Sequence, residues 1–207
     1  MKIYSLPLFP LNVVICPGGL IPLRIFEARY IDMVKNCLRN KTSFAIVAVL
    51  PEGETDEYGH FPFANIGTSV EITDADVTTV GLMMIRCLGH HRVNVKSFTQ
   101  QEDGLVIGNV FDITNDAVLP IPDDLFLVSN MLENFLNSLP DQGVSPSDMP
   151  VNKPYQLSDA TWVANRWVEL LDIPFIQKQR LMQLDSPILR LEMIHDILVS
   201  NTLKSVQ

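Results

Sequence analysis

The segment from residue 6 to residue 38 holds the sharpest change of hydrophobic pattern in the chain. Two short apolar runs, residues 6–9 and 11–16, are separated by prolines, and Gly18-Gly19 marks a turn after them. Beyond Pro22 the apolar spacing becomes helical, which predicts an amphipathic helix with a buried face of Phe26, Tyr30, Met33, Val34, Cys37 and Leu38. Because such a helix must cover another apolar surface, we expect a sheet from the residues that follow.

Strand-like patterns fill the next part of the chain. Residues 43–50 are almost continuously apolar, which predicts a strand buried on both faces. Asp74-Ala75-Asp76 is interpreted as a turn between two β-branched runs, and residues 100–104 end in an Asp-Gly hairpin signal. We expect strands at residues 43–50, 63–72, 78–87, 91–98 and 105–113. Many short strands with frequent turns predict an antiparallel or mixed sheet closing toward a small barrel.

The pattern becomes helical from Pro122 onward. We predict helices at residues 122–138, 159–171 with Ser158 as N-cap, 174–184, and 188–203 after Ser186-Pro187. Residues 140–154 contain four prolines and one glycine and are interpreted as a surface linker or long loop. The fold class predicted is therefore α+β, with a β-rich subdomain at residues 1–120 and an all-helical subdomain at residues 121–207.

Composition narrows the choice of partner and compartment. The formal charge is −9, with 15 basic against 24 acidic residues and no basic run, so we expect no nucleic-acid binding. No apolar run approaches the roughly 18 residues of a membrane span, and the prolines near the N-terminus argue against a signal peptide. Three cysteines in apolar surroundings, without a CxxC pair, are expected to be free core residues. We therefore expect a soluble cytoplasmic protein.

A search for catalytic and metal-binding patterns gives no candidate. The chain has no GxxxxGK[ST], GxGxxG after a strand, GxSxG or HExxH, so no catalytic, cofactor or metal residues are predicted. His90 and His91 are neighbours on a strand and should point to opposite faces, so they cannot easily share a metal. His60, in the acidic stretch at residues 52–60, is at most a weak surface metal contact.

Two sets of side chains are candidates for binding. Glu27 and Arg29 are two residues apart, a spacing at which helical side chains do not face each other, so each is expected to find a separate partner. Arg86 or Arg92 is expected for Glu27, and Glu71 or Asp74 for Arg29. The charges either tie the helix to the sheet or hold a ligand. Trp162 and Trp167 lie about 140° apart around a helix, so one should pack inward and the other lie nearer the surface, where it could contact a partner.

The opening stretch also carries a family likeness, since LPLFPLNVVICPGGLIPLRIFEARYIDMV resembles the start of the N-terminal, substrate-recognition domain of the ATP-dependent Lon protease. The same domain occurs in stand-alone bacterial proteins and in cereblon-type adaptors. The residues that carry the likeness are Pro7, Leu8, Phe9, Pro10, Leu11, Pro17, Gly18, Pro22, Leu23, Ile25, Phe26, Glu27, Arg29 and Tyr30, with Gly67, Thr68, Glu71, Ile72, Gly89, Arg92, Pro174, Lys178, Gln179 and Leu181 further on. Arg24 and Ala28 depart from the His and Pro that many members have there.

The resemblance implies a PUA-like β-barrel with one early helix, followed by a helical bundle. The family's protease continues into an ATPase and a Ser-Lys catalytic domain, whereas this chain stops at Gln207. The resemblance thus implies a non-catalytic module that recognises exposed peptide segments or a partner protein, with neither proteolysis nor ATP hydrolysis. The candidate partner- or ligand-binding residues are Arg24, Glu27, Arg29, Tyr30, Trp162 and Trp167, and the apolar strand edges and the loops at residues 52–60 and 141–153 are candidate contact elements.

Two alternatives stay open. One is a small-molecule-binding protein or an enzyme that uses a pocket in the β-half, which a buried pocket with convergent polar groups would support. The other is RNA binding, suggested by the PUA-like fold alone, which a contiguous basic face would support.

Overall fold

The computed structural model describes residues 2–51, 62–79 and 81–204 and divides the chain into two units, Met1–Asn115 and Asp116–Gln207. The first contains strands β1 (Tyr4–Leu11), β2 (Leu20–Ile25), β3 (Phe44–Ala48), β4 (Ile66–Thr79), β5 (Leu82–Gln100) and β6 (Val106–Asp112), with helix α1 (Ala28–Asn40) between β2 and β3. The second contains α2 (Phe126–Ser138), α3 (Ala160–Leu170), α4 (Phe175–Gln183) and α5 (Pro187–Lys204). The chain thus combines a mixed six-stranded sheet at the N-terminus with helices.

Five of the six strands close on themselves. β1 pairs in parallel with β3 and antiparallel with β6, while β5 pairs antiparallel with both β4 and β6, and β3 pairs antiparallel with β4. The ring is therefore β1-β3-β4-β5-β6. β2 lies outside it and pairs with the first half of the 19-residue β5. In that region β2, β5 and β4 form a three-stranded extension of the barrel.

Strand β3 shows why its sequence is apolar throughout. Ala45 and Val47 face the barrel interior with Leu8 and Val110, while Phe44 and Ile46 belong to the core beneath α1. All five residues of β3 are buried, which confirms the prediction of a strand covered on both faces.

Helix α1 is shorter than its sequence pattern predicted. It buries Tyr30, Met33, Val34 and Cys37 as expected, and it ends at Lys41, whose backbone is in the left-handed region. Phe26 is 70% exposed and Leu38 is 43% exposed, so both were wrongly assigned to the core. Phe26 precedes the first helical turn, so the helical period does not apply to it.

Another correction concerns the predicted turn at residues 74–76. β4 continues through Asp74, Ala75 and Asp76, which pair with Arg86, Ile85 and Met84 of β5. The strand predicted at residues 78–87 is wrong at its start, because residues 78–79 end β4; its remainder from residue 82 and the strand predicted at residues 91–98 form the single strand β5. The β4–β5 ladder contains three register irregularities, one of them between Ile72 and Asp74, and an irregularity of this kind bends a strand without ending it.

The helical unit is centred on a buried arginine. Arg190 of α5 donates hydrogen bonds to the Leu181 and Leu184 carbonyls, to Asn165 Oδ1 at 2.6 Å and to Asp116 Oδ2 at 2.9 Å. All four helices also contribute buried apolar residues, among them Val128, Leu132, Val163, Val168, Leu181, Met182, Leu191 and Ile194.

The predicted cap of α3 is displaced by one residue. Asp159, not Ser158, is the N-cap, since its carboxylate accepts the backbone N–H of Thr161 at 3.0 Å. The same oxygen accepts the N–H of Leu119 at 3.1 Å, a contact that Ser158 does not make. Residues 140–154 contain two short 3-10 helices, Pro140–Gln142 and Pro146–Asp148, and a buried Val151.

Candidate functional site

The turn between β2 and α1 displays an aromatic side chain beside charges. Side chains alternate along β2, so Ile25 is buried and Arg24 is exposed. The alternation continues into the turn and places Phe26, 70% exposed, outward like Arg24. We call Arg24, Phe26, Glu27 and Arg29 the junction surface.

Glu27 and Arg29 pair directly, so the prediction that they could not meet is wrong. The Arg29 Nη2 atom lies 2.6 Å from Glu27 Oε2. Glu27 occupies the N-cap position of α1 with an extended backbone (φ −80°, ψ 134°) and does not cap the helix with its side chain. Because the residue lies outside the helix, the rule for helical i, i+2 spacing does not apply to it.

Arg29 also anchors the junction to the β5–β6 turn. Its Nη1 atom donates to the Gly104 carbonyl at 3.0 Å, and Gln100 Nε2 donates to the same oxygen at 3.2 Å. Gly104 has a φ of +86°, and a Cβ there would lie 2.8 Å from Arg29 Nη1, so glycine permits both the turn and the close approach. The junction surface is thereby fixed to the barrel on one side.

Tyr30, a predicted binding residue, lies in the core. Its side chain is 6% exposed, its ring centroid lies 4.1 Å from that of Phe9, and the Arg29 guanidinium lies 4.7 Å from the ring centre on the outer side. Burial raises the pKa of the Tyr30 hydroxyl, with Arg29 lowering it and Glu27 raising it by smaller amounts. Tyr30 therefore supports Arg29 from below and is not itself displayed.

The two tryptophans lie in the helical unit and differ in exposure, as their spacing predicted. Trp167 is buried and donates its indole N–H to the Val128 carbonyl at 2.9 Å. Trp162 is half-buried, with its ring 6.1 Å from Tyr155 and the Arg166 guanidinium 5.9 Å from its centre. Of the two, Trp162 is the side chain that could contact a partner.

Phe26 was missed as a surface residue because the helical period was extended one turn too far. The strand pattern carried the correct signal: Leu23 and Ile25 point inward and Arg24 outward, so the next alternation predicts an exposed residue 26.

The histidines do not converge on a common metal. His90 Nε2 lies 2.8 Å from Glu71 Oε2, whereas His91 Nε2 lies 2.9 Å from Asp112 Oδ1, which also accepts the Tyr4 hydroxyl at 2.5 Å. Burial, together with Asp112, raises the pKa of Tyr4. Across the part of the chain that the structure describes, no group of three potential ligands is close enough to hold a metal ion. His60 and the loop at residues 52–60 lie outside the described residues.

Residues of each unit line a cavity. One, of about 510 Å³, lies in the helical unit between the end of α2 and residues 144–155, with a largely apolar lining that includes Asn137, Asn152 and Lys153. The other, of about 520 Å³, opens between the C-terminal turn of α1 and the start of the exposed part of β4. No helix in the described ranges is long and apolar enough to cross a membrane.

The class of fold is a closed five-stranded barrel unit with an exposed aromatic side chain at its strand-to-helix junction, in a chain that also contains a helical unit. Comparison with known families makes the assignment specific, since the profile of the ATP-dependent protease La (LON) substrate-binding domain matches residues 5–200. The chain therefore belongs to the LON substrate-binding domain family, as its opening residues indicated.

Solved structures agree with this assignment. A Lon N-terminal domain protein from Xanthomonas campestris is 33% identical with a TM-score of 0.74, covering 94% of this chain and 98% of that one. The N-terminal domain of Mycobacterium avium complex Lon protease has a TM-score of 0.62 at 16% identity, covering 93% and 97% of the two chains, and shows the shared fold alone.

Curated relatives include cereblon from two vertebrates. The Danio rerio protein is 27% identical over 125 residues, 58% of this chain, and the Gallus gallus protein is 26% identical over 149 residues, 70% of this chain. The match spans only 28% and 30% of the lengths of those two proteins.

Proposed function

We propose that this chain binds exposed segments of other polypeptides through its junction surface and performs no chemistry on them. The observation that carries the proposal is Phe26, a large aromatic side chain left 70% exposed. Aromatic residues, phenylalanine among them, and arginine are enriched in the cores of protein interfaces, and Phe26 lies between Arg24 and Arg29 in the sequence. Membership of a substrate-binding domain family supports the same conclusion.

The fixed backbone around Phe26 favours binding. The ion pair of Glu27 with Arg29 and the hydrogen bond from Arg29 to Gly104 hold the turn before the partner arrives. A preorganised anchor loses less conformational entropy on binding than a mobile one. Covering a phenylalanine side chain with an apolar partner contributes about 1.5–3 kcal/mol, which corresponds to at least a tenfold gain in affinity.

The proposal also includes expectations about the fold, the class of partner and the location of the protein. The closed ring β1-β3-β4-β5-β6 supports a PUA-like barrel, and α2–α5 support a helical bundle as the second subdomain. The partner is a polypeptide and not a nucleic acid, in keeping with the formal charge of −9. A cytoplasmic location stays a prediction.

The test is the affinity for a fluorescently labelled, reduced and carboxymethylated protein that cannot fold. Phe26→Ala should weaken binding at least tenfold, measured by fluorescence anisotropy. Phe126→Ala is the matched control, because Phe126 is a phenylalanine of the helical unit that is 48% exposed. Equal affinities of wild type and both variants would contradict the proposal.

Small-molecule binding is the second candidate, and the 510 Å³ cavity of the helical unit is the observation that favours it. Its volume is typical of ligand sites, and Asn137, Asn152 and Lys153 offer hydrogen-bond donors at an apolar wall. A fragment screen by ligand-observed NMR tests it, with Tyr155→Ala as the variant that should abolish any hit in this cavity.

A further inference from the structure

β4 has an unpaired edge in the three-stranded extension. β3 pairs with β4 only at Thr68, Ser69 and Val70. From Glu71 onward β4 pairs with β5 on one side, and no strand of the described residues pairs with its other side. Residues 73–77 are all exposed, including Val77 at 65%. Backbone N–H and C=O groups that point away from β5 are therefore available to another strand.

The other open edge of the extension is protected differently. β2 also pairs with β5 alone, but Pro22 in its middle has no N–H to donate. β4 has no proline between Ile66 and Thr79. Of the two edges, β4 can therefore accept a complete additional strand.

The charges on the β4 edge select the strand that can be added. Asp74 and Asp76 are exposed along it, and so is Glu71, whose carboxylate already lies 2.8 Å from His90 Nε2. A second copy of this chain would bring the same carboxylates to the edge, and like charges opposite each other destabilise a strand pair. A segment with lysine or arginine side chains places opposite charges there.

A groove continues from this edge. β3 runs antiparallel to β4 with Phe44 opposite Val70, so residues 41–43 lie on the same side of β4 as the open edge. The 520 Å³ cavity lies between these residues and Glu71 and Ile72, and its lining is mainly polar, with Leu38 among its apolar members. A strand added beside residues 73–77 and extended past Glu71 would insert a side chain into this groove.

The edge also lies near the junction surface. Ile25 of β2 and Val77 of β4 both pair with Met83 of β5, so Phe26 and Val77 lie at the same end of the extension. Two strand spacings, about 10 Å, separate β2 from β4. One extended polypeptide could therefore contact both features.

From these observations we propose that β4 residues 71–77 bind an extended, positively charged polypeptide segment by adding it to the sheet as a further strand. This inference rests on the proposed recognition of exposed segments and names their chemistry. Backbone hydrogen bonds would provide the affinity, and the carboxylates would provide the preference for basic side chains.

The experiment uses labelled ten-residue peptides that alternate valine with lysine, glutamine or glutamate. The lysine peptide should bind most tightly. Asp74→Asn/Asp76→Asn should weaken its binding by about three- to tenfold in low salt, and added salt should reduce the difference. Asp123→Asn/Asp124→Asn, with the same charge change at exposed positions of the helical unit, should leave binding unchanged.

Backbone methylation tests the strand pairing itself. Methylating the lysine peptide's amides at alternate positions gives two isomers, and only the isomer blocked at the amides facing β4 should lose affinity, by at least tenfold. Equal behaviour of the two isomers, or equal binding of the glutamate and lysine peptides, would overturn the inference. If β4 variants bind the unfolded protein normally while Phe26→Ala does not, this inference fails and the proposed function stands. If neither the wild-type protein nor any variant binds the unfolded protein, both this inference and the proposed function fail.

Discussion

Replacing Arg190 by methionine should destabilise the helical unit more than any exposed substitution there. The change keeps much of the side-chain volume and removes the charge and its donors. It leaves the Asp116 carboxylate, Asn165 Oδ1 and the Leu181 carbonyl without the guanidinium that now satisfies them.

The structure sets the size of the effect. The Arg190 and Asp116 side chains are only 1% and 9% exposed, so solvent cannot replace the lost contacts without disrupting the packing. Breaking a buried ion pair by removing one partner costs about 3–5 kcal/mol. With a urea m-value of about 1–3 kcal/mol per molar, the unfolding midpoint should fall by roughly 1–5 M.

Tryptophan fluorescence is the suitable assay because both tryptophans, Trp162 and Trp167, lie in the helical unit. Arg180→Met is the matched control, since Arg180 is exposed, and should change the free energy of unfolding by less than about 0.5 kcal/mol. A loss below about 1 kcal/mol for Arg190→Met would refute the conclusion that this network stabilises the unit.

Three further predictions concern the barrel unit. All three cysteines are buried, so a thiol reagent at pH 8 should label them only after denaturant is added, and rapid labelling in buffer would contradict the packing. Burial raises the pKa of Cys87 to about 12 and also that of Cys37, so the thiols stabilise the fold below pH 9, and this contribution is lost as the pH rises from about 9 toward 12. By pH 10 the ionisation of Cys87 should lower the free energy of unfolding by about 1 kcal/mol, measured by urea unfolding followed by thiol exposure. Cys87→Ala should remove that part of the pH dependence. Gly67→Ala should destabilise the barrel by about 1–3 kcal/mol in the same assay, because the new Cβ would lie 2.7 Å from Val47 Cγ1 and still nearer the Ile46 carbonyl oxygen. Gly81→Ala places nothing within 4 Å of the new Cβ but has a φ of +83°, so it measures backbone strain without crowding and should cost about 1–2 kcal/mol.

Sequence patterns predicted correctly those elements in which a single hydrophobic pattern runs through the whole segment. The continuous apolar run became β3, buried between the barrel interior and α1. The period of α1 identified Tyr30, Met33, Val34 and Cys37 correctly. The signature residues around Glu27 and Arg29 identified the family.

Predictions failed where local chemistry and long-range pairing disagree. Asp74-Ala75-Asp76 has the composition of a turn, but pairing with β5 keeps it extended. Glu27 reaches Arg29 because it is outside the helix by a single residue. Such boundaries depend on where the backbone leaves the strand, which side-chain composition defines only loosely.

Only some of the predicted candidate residues lie together in the structure. Arg24, Glu27 and Arg29 lie at one turn, while Tyr30 is buried beneath them and Phe26 replaces it on the surface. Buried Arg166 and Arg190 had no sequence signal, because arginine is normally exposed unless tertiary partners are present.

The central claim is that this chain recognises polypeptide segments exposed by unfolding. The most direct measurement is a titration of one labelled protein in two forms, native and permanently unfolded, with the intact chain. We predict saturable binding of the unfolded form, weakened at least tenfold by Phe26→Ala, and no measurable binding of the native form. Equal binding of both forms, or none of either, would contradict the account.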